Sequence, residues 1–272
     1  MSRLQTPNER ALQLTGRDYI SYSAISTYQQ CPLKYRFRYV DRLPEEFVSA
    51  NLVFGSAIHA AAELHFNELM IGGPPPDVDE LLVAYNESWD LQADKDIRYR
   101  QGQDRSHHEG LAKRLLTAFQ ESDLSQPAGT ILGVEEELRG QVIQGCPDLL
   151  ARIDLVVETD DAVVVTDLKT SRSRWSSTQA EQASDQLMLY GELAGELACE
   201  KPVLLQFAVI TKTKVPSVEI HPVSASTDRV AWTKLSVQYV WQAIDAEHFY
   251  PSPSAMNCGG CPYRQSCRKW RA

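Results

Sequence analysis

The sequence predicts a single α/β domain whose N-terminal portion is helical. The chain of 272 residues is 43% apolar and 23% charged, which suffices for a large hydrophobic core and excludes a disordered or fibrous protein. Up to about residue 125 the apolar residues recur with helical spacing, and from residue 130 short runs alternate with a period of two. We therefore expect a sheet flanked by helices within residues 19–272, preceded by a flexible arm over the polar, aperiodic residues 1–18.

The helical portion, residues 19–125, contains several predicted helices. Two short ones meet at Cys31-Pro32, because the proline interrupts the apolar spacing there. The alanine-rich segment 54–73 ends in paired glycines followed by three prolines, which are typical stop signals of a helix. Amphipathic spacing predicts two further helices, at 77–94 and 104–123.

The next part, residues 126–250, carries the predicted sheet. Strands are expected at 130–139, 149–158, 162–169, 203–211 and 215–223, and helices at 176–198 and 228–247. Residues 159–161 read as a tight turn, so the second and third strands form a hairpin. We expect the remaining residues, 251–272, to form a cysteine-rich loop.

Charge and targeting signals limit the location and the partners of the chain. A net charge of −9 counts against a protein that coats itself in nucleic acid. The N-terminus lacks the apolar core of a secretory signal, and the longest apolar stretches, such as 202–210, are too short to cross a bilayer. We expect a cytoplasmic protein with no membrane partner, in which clustered cysteines indicate metal or redox chemistry rather than disulfides.

Two carboxylates and a lysine mark the predicted hairpin. Asp154 lies in its first strand, Asp167 lies near the end of its second, and Lys169 follows on the same face as Asp167. If the strands are in register these groups converge, and burying them is costly unless a divalent cation and a phosphate share the charge. Hard oxygen ligands favour Mg²⁺ or Mn²⁺. Taken alone, however, a D-x-K triplet is more often an exposed strand end, because it is common by chance.

Three further polar residues accompany this pattern. Gln186 and Tyr190 are four residues apart in the predicted helix 176–198 and therefore share one face. His59 lies in the predicted helix 54–73, although a single helical histidine is more often packed or solvated than a metal ligand.

The order of these residues resembles the RecB-like branch of the PD-(D/E)XK nuclease superfamily. The motifs in question are His59, Ile153-Asp154, Asp167-Leu168-Lys169 and Gln186-x-x-x-Tyr190. The resemblance covers about residues 20–270 and implies a restriction-endonuclease-like core with a central mixed sheet. Where the family often has Gly-x-x-Asp, this chain has Ala151-Arg152-Ile153-Asp154.

The same resemblance implies a role for each matching residue. The implied ligands of Mg²⁺ or Mn²⁺ are His59, Asp154, Asp167 and the backbone carbonyl of Leu168. Lys169 is implied as the catalytic lysine that orients or activates the attacking water. Gln186 and Tyr190 are implied to arrange the active site and the DNA strand.

Three of the six cysteines form the cluster Cys258-x2-Cys261-x5-Cys267. Three soft ligands are one short of a closed site, and Cys31, which precedes a proline, is the best candidate for the fourth. The other two cysteines, Cys146 and Cys199, are expected to be small buried hydrophobes. By ligand count alone, zinc and an iron–sulfur cluster would both accept four thiolates.

A family resemblance favours the iron–sulfur cluster. Some RecB-like nucleases, including the AddB-type helicase–nuclease subunit and the CRISPR-adaptation exonucleases, are similar to this chain in placing one cysteine before the nuclease core and C-x2-C-x5-C after it. This similarity implies a structural 4Fe-4S cluster. Its implied ligands are Cys31, Cys258, Cys261 and Cys267.

Basic residues gather near these cysteines although the chain is acidic. Lys34 and Arg36 follow the first cysteine and Arg268 follows the last. The remaining basic residues of this group are Arg38, Arg42, Arg264, Lys269 and Arg271, and the interleaved aromatic residues are Tyr22, Tyr28, Tyr35, Tyr39, Tyr263 and Trp270. The pattern suits single-stranded nucleic acid, and a solvated basic face with core aromatics explains it equally well. Arg172 and Arg174 are further candidates for contacts with DNA phosphates.

The sequence thus predicts a metal-dependent DNA nuclease, in particular an exonuclease acting on single strands or DNA ends, with endonuclease activity as a further expectation. DNA repair, recombination or CRISPR adaptation would be its setting. The chain has no Walker A motif and is not a helicase on its own. The partners expected are therefore a helicase, recombination proteins or a CRISPR integration complex. Two alternatives stay open: a non-catalytic DNA-binding subunit of a helicase–nuclease complex, and a nuclease stapled by zinc.

Overall fold

The computed structural model describes residues 5–198 and 200–270. Its first element is a helix, α1 (Pro7–Thr15), in the N-terminal segment. This corrects the expectation of a flexible arm over residues 1–18. The Thr6 hydroxyl accepts a hydrogen bond from the Glu9 N–H, and the Glu9 carboxylate accepts one from the Thr6 N–H. This reciprocal pair is a capping box, which starts a helix by satisfying two otherwise free backbone donors. Cys199 and Arg271, two residues singled out above, lie outside the described residues.

The remaining elements follow in chain order. The helices are α2 (Tyr22–Gln30), α3 (Pro32–Tyr35), α4 (Ala50–Met70), α5 (Val78–Asp90), α6 (Arg105–Gln120), α7 (Ser177–Ala183), α8 (Asp185–Ala194), α9 (Thr227–Asp245), α10 (Ala255–Gly259) and α11 (Arg264–Lys269). The strands are β1 (Tyr19–Ser21), β2 (Val48–Ser49), β3 (Ile97–Arg98), β4 (Thr130–Gly140), β5 (Asp148–Glu158), β6 (Val163–Ser171), β7 (Val203–Thr211) and β8 (Val218–Val223). A π-helical turn covers Arg36–Val40 and a 3-10 turn covers Asp123–Ser125.

Most of the predicted elements are confirmed, with two corrections besides α1. The predicted helix 176–198 is divided at Ser184, whose hydroxyl donates to the carbonyl of Glu181 at 2.6 Å and so competes with the helical hydrogen bonds. The segment 251–272 is not only a loop, since it contains α10 and α11. Helix α10 begins after Ser254, whose hydroxyl accepts from the N–H of Asn257.

The chain forms two compact units, each assembled from segments that are far apart in sequence. The first consists of Met1–Phe47, Leu138–Ala151 and Thr227–Ala272, and the second of Val48–Glu137 and Arg152–Ser226. The expectation of one domain over residues 19–272, with a helical part, a nuclease core and a cysteine-rich tail divided at residues 125 and 250, stays a prediction.

In the first unit, strand β1 pairs in parallel with the beginning of β5. Arg139 connects the two strand regions, because its guanidinium lies 3.0 Å from a carboxylate oxygen of both Asp18 and Asp148. A small apolar cluster elsewhere in this unit consists of the buried residues Leu33, Phe37 and Tyr263, with Cys31, Leu43, Cys261, Cys267 and Trp270 packed against it.

In the second unit, the rest of β5 pairs antiparallel with β6, β6 pairs parallel with β7, and β7 pairs antiparallel with β8, while β4 pairs with β5. The buried faces of α4, α5 and α6 form the main core with the apolar residues of these strands. Leu168 of β6 belongs to this core, so its neighbours Asp167 and Lys169 point to the other face of the sheet. An α/β fold with a central mixed sheet flanked by helices is therefore confirmed.

None of the helices in the described part of the chain combines the length and the apolar character needed to cross a bilayer.

Candidate active site

Strands β5 and β6 separate at the two predicted carboxylates. Their antiparallel pairing ends at Leu155↔Thr166, one residue before Asp154 and Asp167 would face each other. Asp154 Oδ2 instead accepts a hydrogen bond from the backbone N–H of Leu168 at 2.6 Å. The carboxylate thus satisfies a backbone donor near the point where the strand pairing stops, and both acidic side chains are held at the opening between the strands.

Glu135 is a third carboxylate of this site, and it was not identified from the sequence. It lies in β4 with a φ of 49°, which residues other than glycine seldom adopt and which is often found at functional sites. One carboxylate oxygen lies 3.7 Å from His59 Nδ1, and the other forms an ion pair with Arg152. Residues 135–137 are all glutamates, and the alternation of a regular strand could not tell which one faces the site.

His59, on helix α4, completes the cluster from the helical side. Its Nδ1 lies 3.3 Å from Asp154 Oδ1. Burial alone lowers the pKa of His59, but the hydrogen bonds to Asp154 and Glu135 and the charge of Asp167 outweigh it and raise the pKa to about 10. The cluster therefore favours a positive charge at its centre.

The donor set fits a hard divalent cation. Among the described residues, His59, Glu135 and Asp154 are the one group of three or more such ligands whose donor atoms all lie within 4.8 Å of one another. An octahedral ion with ligands at about 2.1 Å separates them by roughly 3 Å or 4 Å, which is compatible with this spacing. Oxygen donors with one imidazole suit Mg²⁺ or Mn²⁺. A cavity of about 10 Å³ beside these three side chains is about the size of one water molecule.

Asp167 is buried next to this cluster and is paired with Lys169. Lys169 Nζ lies 2.6 Å from Asp167 Oδ2. Burial raises the pKa of Asp167 to about 6; the Lys169 ammonium opposes the shift and the Asp154 carboxylate adds to it. The structure therefore brings Asp154, Asp167 and Lys169 together, while Glu135 rather than Asp167 belongs to the tight donor group. The N–H of Leu168 is engaged by Asp154, and the role of its carbonyl as a metal ligand stays a prediction.

Gln186 and Tyr190, both on α8, extend the chain of polar contacts. Lys169 Nζ donates to Gln186 Oε1 at 3.2 Å, and Gln186 Nε2 donates to the Tyr190 hydroxyl at 2.8 Å. Burial raises the pKa of Tyr190 to about 12, so its hydroxyl is neutral near pH 7. The spacing of four residues correctly predicted a shared face. The hydrogen bond from Lys169 to Gln186 shows that this face of α8 contacts the lysine.

A groove of about 1190 Å³ leads to these groups. Its floor includes His59, Glu135, Asp154 and Lys169. This volume lies above the roughly 300–1,000 Å³ that is usual for small-molecule pockets.

In the first unit, the four predicted cysteines line a separate cavity of about 60 Å³. Its other lining residues include Leu33, Phe37 and Tyr263. The Cys31 sulfur accepts a hydrogen bond from the N–H of Ser252 at 3.5 Å. Burial raises the pKa values of Cys261 and Cys267, and the neighbouring cysteines raise both further.

The spacing of the four sulfurs differs from that of a tetrahedral zinc site. Four thiolates at about 2.3 Å from one zinc ion are roughly 3.8 Å apart. In the described residues no three of these sulfurs lie within 4.8 Å of one another. A cavity of about 60 Å³ also exceeds several-fold the roughly 10–15 Å³ that one water molecule needs. The four cysteines therefore line one cavity, and the group that they bind stays a prediction.

The predicted DNA-binding residues have different surroundings. Arg36 pairs with Asp41 at 3.2 Å, and Arg174 pairs with Glu219 at 3.0 Å. Lys34 lines the cysteine cavity, Arg268 is exposed on α11, and Arg172 is exposed after β6. Their contacts with DNA stay predictions. Cys146, expected to be a small buried hydrophobe, is buried in the first unit.

Half of the aromatic residues proposed for base stacking are not available for it. Tyr28, Tyr35 and Tyr263 are at most 6% exposed, and Tyr28 and Tyr35 contact each other edge to face. For these three rings the interpretation as core aromatics is correct.

Comparison with known proteins gives a family match and similar folds. The family model described as PD-(D/E)XK nuclease superfamily matches residues 19–268. Among solved structures, a crystal structure of a "putative exonuclease" from Eubacterium rectale is similar, with a TM-score of 0.58 and 14% identity over 100% of this chain and 93% of that chain; this likeness concerns the fold. A protein named SSO0001 matches with a TM-score of 0.36 and 13% identity over 90% of this chain and 94% of its own. No curated protein matches the sequence.

Proposed function

The chain belongs to the PD-(D/E)XK nuclease superfamily, and from this premise we propose that it is a divalent-metal-dependent deoxyribonuclease. The observation that carries the proposal is the convergence of His59, Glu135 and Asp154 beside the ion pair of Asp167 and Lys169. We propose an exonuclease, which is also what the similar Eubacterium rectale protein is named, and from the resemblance stated above we propose single-stranded DNA or DNA ends as its substrate. Endonuclease activity is a secondary expectation.

His59, Glu135 and Asp154 would hold the Mg²⁺ or Mn²⁺ ion, together with Asp167 and the Leu168 carbonyl as the resemblance implies. When bound, such an ion supplies positive charge for a phosphodiester under attack and makes water a better nucleophile. Arg152 neutralises one oxygen of Glu135 and fixes the direction of its carboxylate. Without this partner, three carboxylates would repel one another at short range.

Lys169 is the residue that would orient the attacking water and stabilise the phosphate charge. Its ammonium is positioned from two sides, by Asp167 at 2.6 Å and by Gln186 Oε1 at 3.2 Å. Because the Tyr190 hydroxyl accepts from the Gln186 amide nitrogen, the amide oxygen is directed at Lys169. Gln186 and Tyr190 are therefore positioning residues, which hold the ammonium at the opening between the strands.

For the cysteine cavity we propose a structural 4Fe-4S cluster bound by Cys31, Cys258, Cys261 and Cys267. The four soft thiolates that line one cavity support a bound metal group, and the resemblance stated above favours a cluster over a single zinc ion. Such a cluster would connect two segments of the first unit that are more than two hundred residues apart, at an entropic cost that grows only with the logarithm of the loop length.

DNA is the proposed substrate, and the setting we propose is cytoplasmic DNA repair, recombination or CRISPR adaptation. A helicase, recombination proteins or a CRISPR integration complex would be the partners. The resemblance stated above supports these assignments.

The test is a digest of end-labelled linear DNA, single- and double-stranded, with Mg²⁺ or Mn²⁺, alongside circular single-stranded DNA. We expect linear single strands to be degraded from an end and the circles to persist. If circular single strands are degraded as fast as linear ones, the enzyme is an endonuclease and not an exonuclease. No hydrolysis of any substrate by the wild-type protein with its cysteine site loaded would contradict the proposed function.

A further inference from the structure

Three positively charged side chains of the second unit affect one another's charge, and two of them, Lys212 and Arg100, have no role assigned above. Lys212 directly follows β7 and lines the same groove as Lys169. Its Nζ lies 3.3 Å from Thr170 Oγ1 and 5.3 Å from the ring centroid of Phe54. Arg172 and Arg100 are close enough to affect its charge.

The electrostatics of this cluster favour an anion. Burial lowers the pKa of Lys212 to about 8, and the charges of Arg172 and Arg100 lower it further. Burial and Arg100 likewise lower the pKa of Arg172. No carboxylate in the described part of the chain forms an ion pair with any of these three side chains, whereas Arg174, two residues after Arg172, is paired. Cations that repel one another and lack a carboxylate partner are stabilised by a bound anion.

The position of Lys212 along the sheet indicates which phosphate it would contact. Parallel pairing of β6 and β7 places Lys169 opposite Val209 and ends at Ser171↔Thr211. At about 3.3 Å per residue, the backbone of Lys212 is roughly 10 Å further along the sheet than that of Lys169. Lys212 therefore lies beside the carboxylate cluster and not in it. A phosphate held there would be a neighbour of the one under attack.

The wall of the groove that α4 and α5 line has a different chemistry. Helix α4 contributes the exposed side chain of Leu52 and the carboxylate of Glu63, and α5 contributes the carboxylate of Glu87. Leu91 directly follows α5, and Leu52 and Leu91 are 66% and 77% exposed. Carboxylates repel phosphates, and exposed leucines offer apolar surface to bases. A strand with its backbone toward Lys212 would have its bases toward this wall, and only unpaired bases are free to make such contacts.

Gly55 lies where α4 comes close to Thr170 of β6. It lines the groove, and a Cβ built at this position would lie 3.9 Å from Thr170 Oγ1. A longer side chain here would project toward Thr170, which Lys212 contacts.

We propose that Lys212, with Arg172 and Arg100, binds the backbone phosphate adjacent to the scissile phosphodiester of single-stranded DNA. This proposal rests on the proposed nuclease function, whose substrate it specifies.

The test measures binding of a fluorescent single-stranded oligonucleotide in EDTA, so that affinity is determined without hydrolysis. We expect Lys212→Met, which keeps the packing on Phe54, to weaken affinity about tenfold and to reduce the slope of log Kd against log salt by about 0.7–1. Lys212→Arg should retain most of the affinity. Lys214→Ala, an exposed lysine two residues away, is the matched control and should bind like wild type.

An oligonucleotide series with one neutral methylphosphonate per strand locates the contact. Wild type should lose affinity when the linkage next to the cleaved one is neutral, and Lys212→Met should be insensitive to that change. Unchanged affinity and salt slope in Lys212→Met would overturn the proposal, as would an equal loss of affinity for blunt duplex DNA. If Lys212→Met does not fold, the exposed Arg172→Gln variant serves instead, with an expected loss of about threefold.

The two proposals fail separately. Absence of hydrolysis with Mg²⁺ or Mn²⁺ together with the binding defect of Lys212→Met would overturn the nuclease function and retain the phosphate site. Hydrolysis by wild type together with normal binding by Lys212→Met would retain the nuclease function and overturn the phosphate site.

Discussion

The carboxylate site of the second unit and the cysteine site of the first differ in how their ligands are held. His59, Glu135 and Asp154 come from a long helix and two strands of the sheet, and each is already fixed by protein contacts, such as the hydrogen bond from the Leu168 N–H to Asp154. The cysteines lie on α10, on α11, between these helices and just before the four-residue helix α3.

This difference implies different dependence on the bound group. Helices of four to six residues are not stable by themselves in water, so the cysteine region would gain its order from the group that the four thiolates bind. The carboxylate site is supported by the sheet and would keep its shape without an ion. Loss of the first group should therefore affect stability, and loss of the second should affect only activity.

The largest expected effect on activity is that of Lys169→Met. The substitution removes the ammonium and leaves Asp167 buried without its partner, so we expect hydrolysis of single-stranded DNA to fall about a thousandfold. Lys201→Met is the control, because Lys201 pairs with Glu158 at the opposite end of β6. Initial rates at saturating Mg²⁺ measure both. A loss below tenfold would exclude Lys169 from the chemistry.

The next largest effect tests whether the cysteine site depends on its bound group for stability. Cys31→Ser should abolish the visible absorption of anaerobically purified protein and lower the Tm by about 5–10 °C, since metal binding and folding are coupled there. Cys146→Ala is the control and should keep the absorption. A colourless wild-type protein with one zinc ion would contradict the iron–sulfur cluster, and an unchanged Cys31→Ser variant would show that Cys31 is not a ligand.

Glu135→Gln sharpens the assignment of the carboxylate site. If Glu135 is a ligand, the substitution should reduce metal affinity roughly 10- to 100-fold with little change in Tm. Titration of the cleavage rate with Mn²⁺ measures the apparent affinity. Glu137→Gln, on the exposed side of the same strand, should behave like wild type. Equal behaviour of the two variants would remove Glu135 from the ligand set.

The smallest expected effect is that of pH on the free energy of unfolding, through the titration of Asp167. Because burial raises the pKa of Asp167 to about 6, from about 3.9 in an unfolded chain, the native state binds the proton more tightly. The carboxylate therefore lowers the free energy of unfolding as pH rises through this range. Metal-free Asp167→Asn should gain Tm relative to wild type between pH 5 and pH 8. A constant difference in Tm across this range would contradict the raised pKa.

How much of the site could be predicted depended on the regularity of the backbone. Asp154, Asp167 and Lys169 were accessible because a hairpin with period-two alternation fixes which residues converge. Glu135 was not, because its positive φ interrupts the alternation that would have shown its direction.

Some features of the fold were likewise not predicted from the sequence. The capping box of Thr6 and Glu9 was present in the sequence, and α1 could have been predicted from it. The pairing of Tyr19 with Asp148 joins residues too far apart for any local pattern to indicate it. Ser184, which divides the helix predicted at 176–198, acts through a side-chain hydrogen bond that periodicity does not detect.

Our main inference is that the carboxylates at the opening between β5 and β6 form the hydrolytic site of a nuclease. It is tested most directly by the rate of nucleotide release from linear single-stranded DNA with Mn²⁺, for wild type and Asp154→Asn, with Asp161→Asn in the exposed hairpin turn as the control. We expect release by wild type and by Asp161→Asn and a loss of about a thousandfold or more in Asp154→Asn, with an unchanged Tm. Equal rates for wild type and Asp154→Asn would contradict the claim.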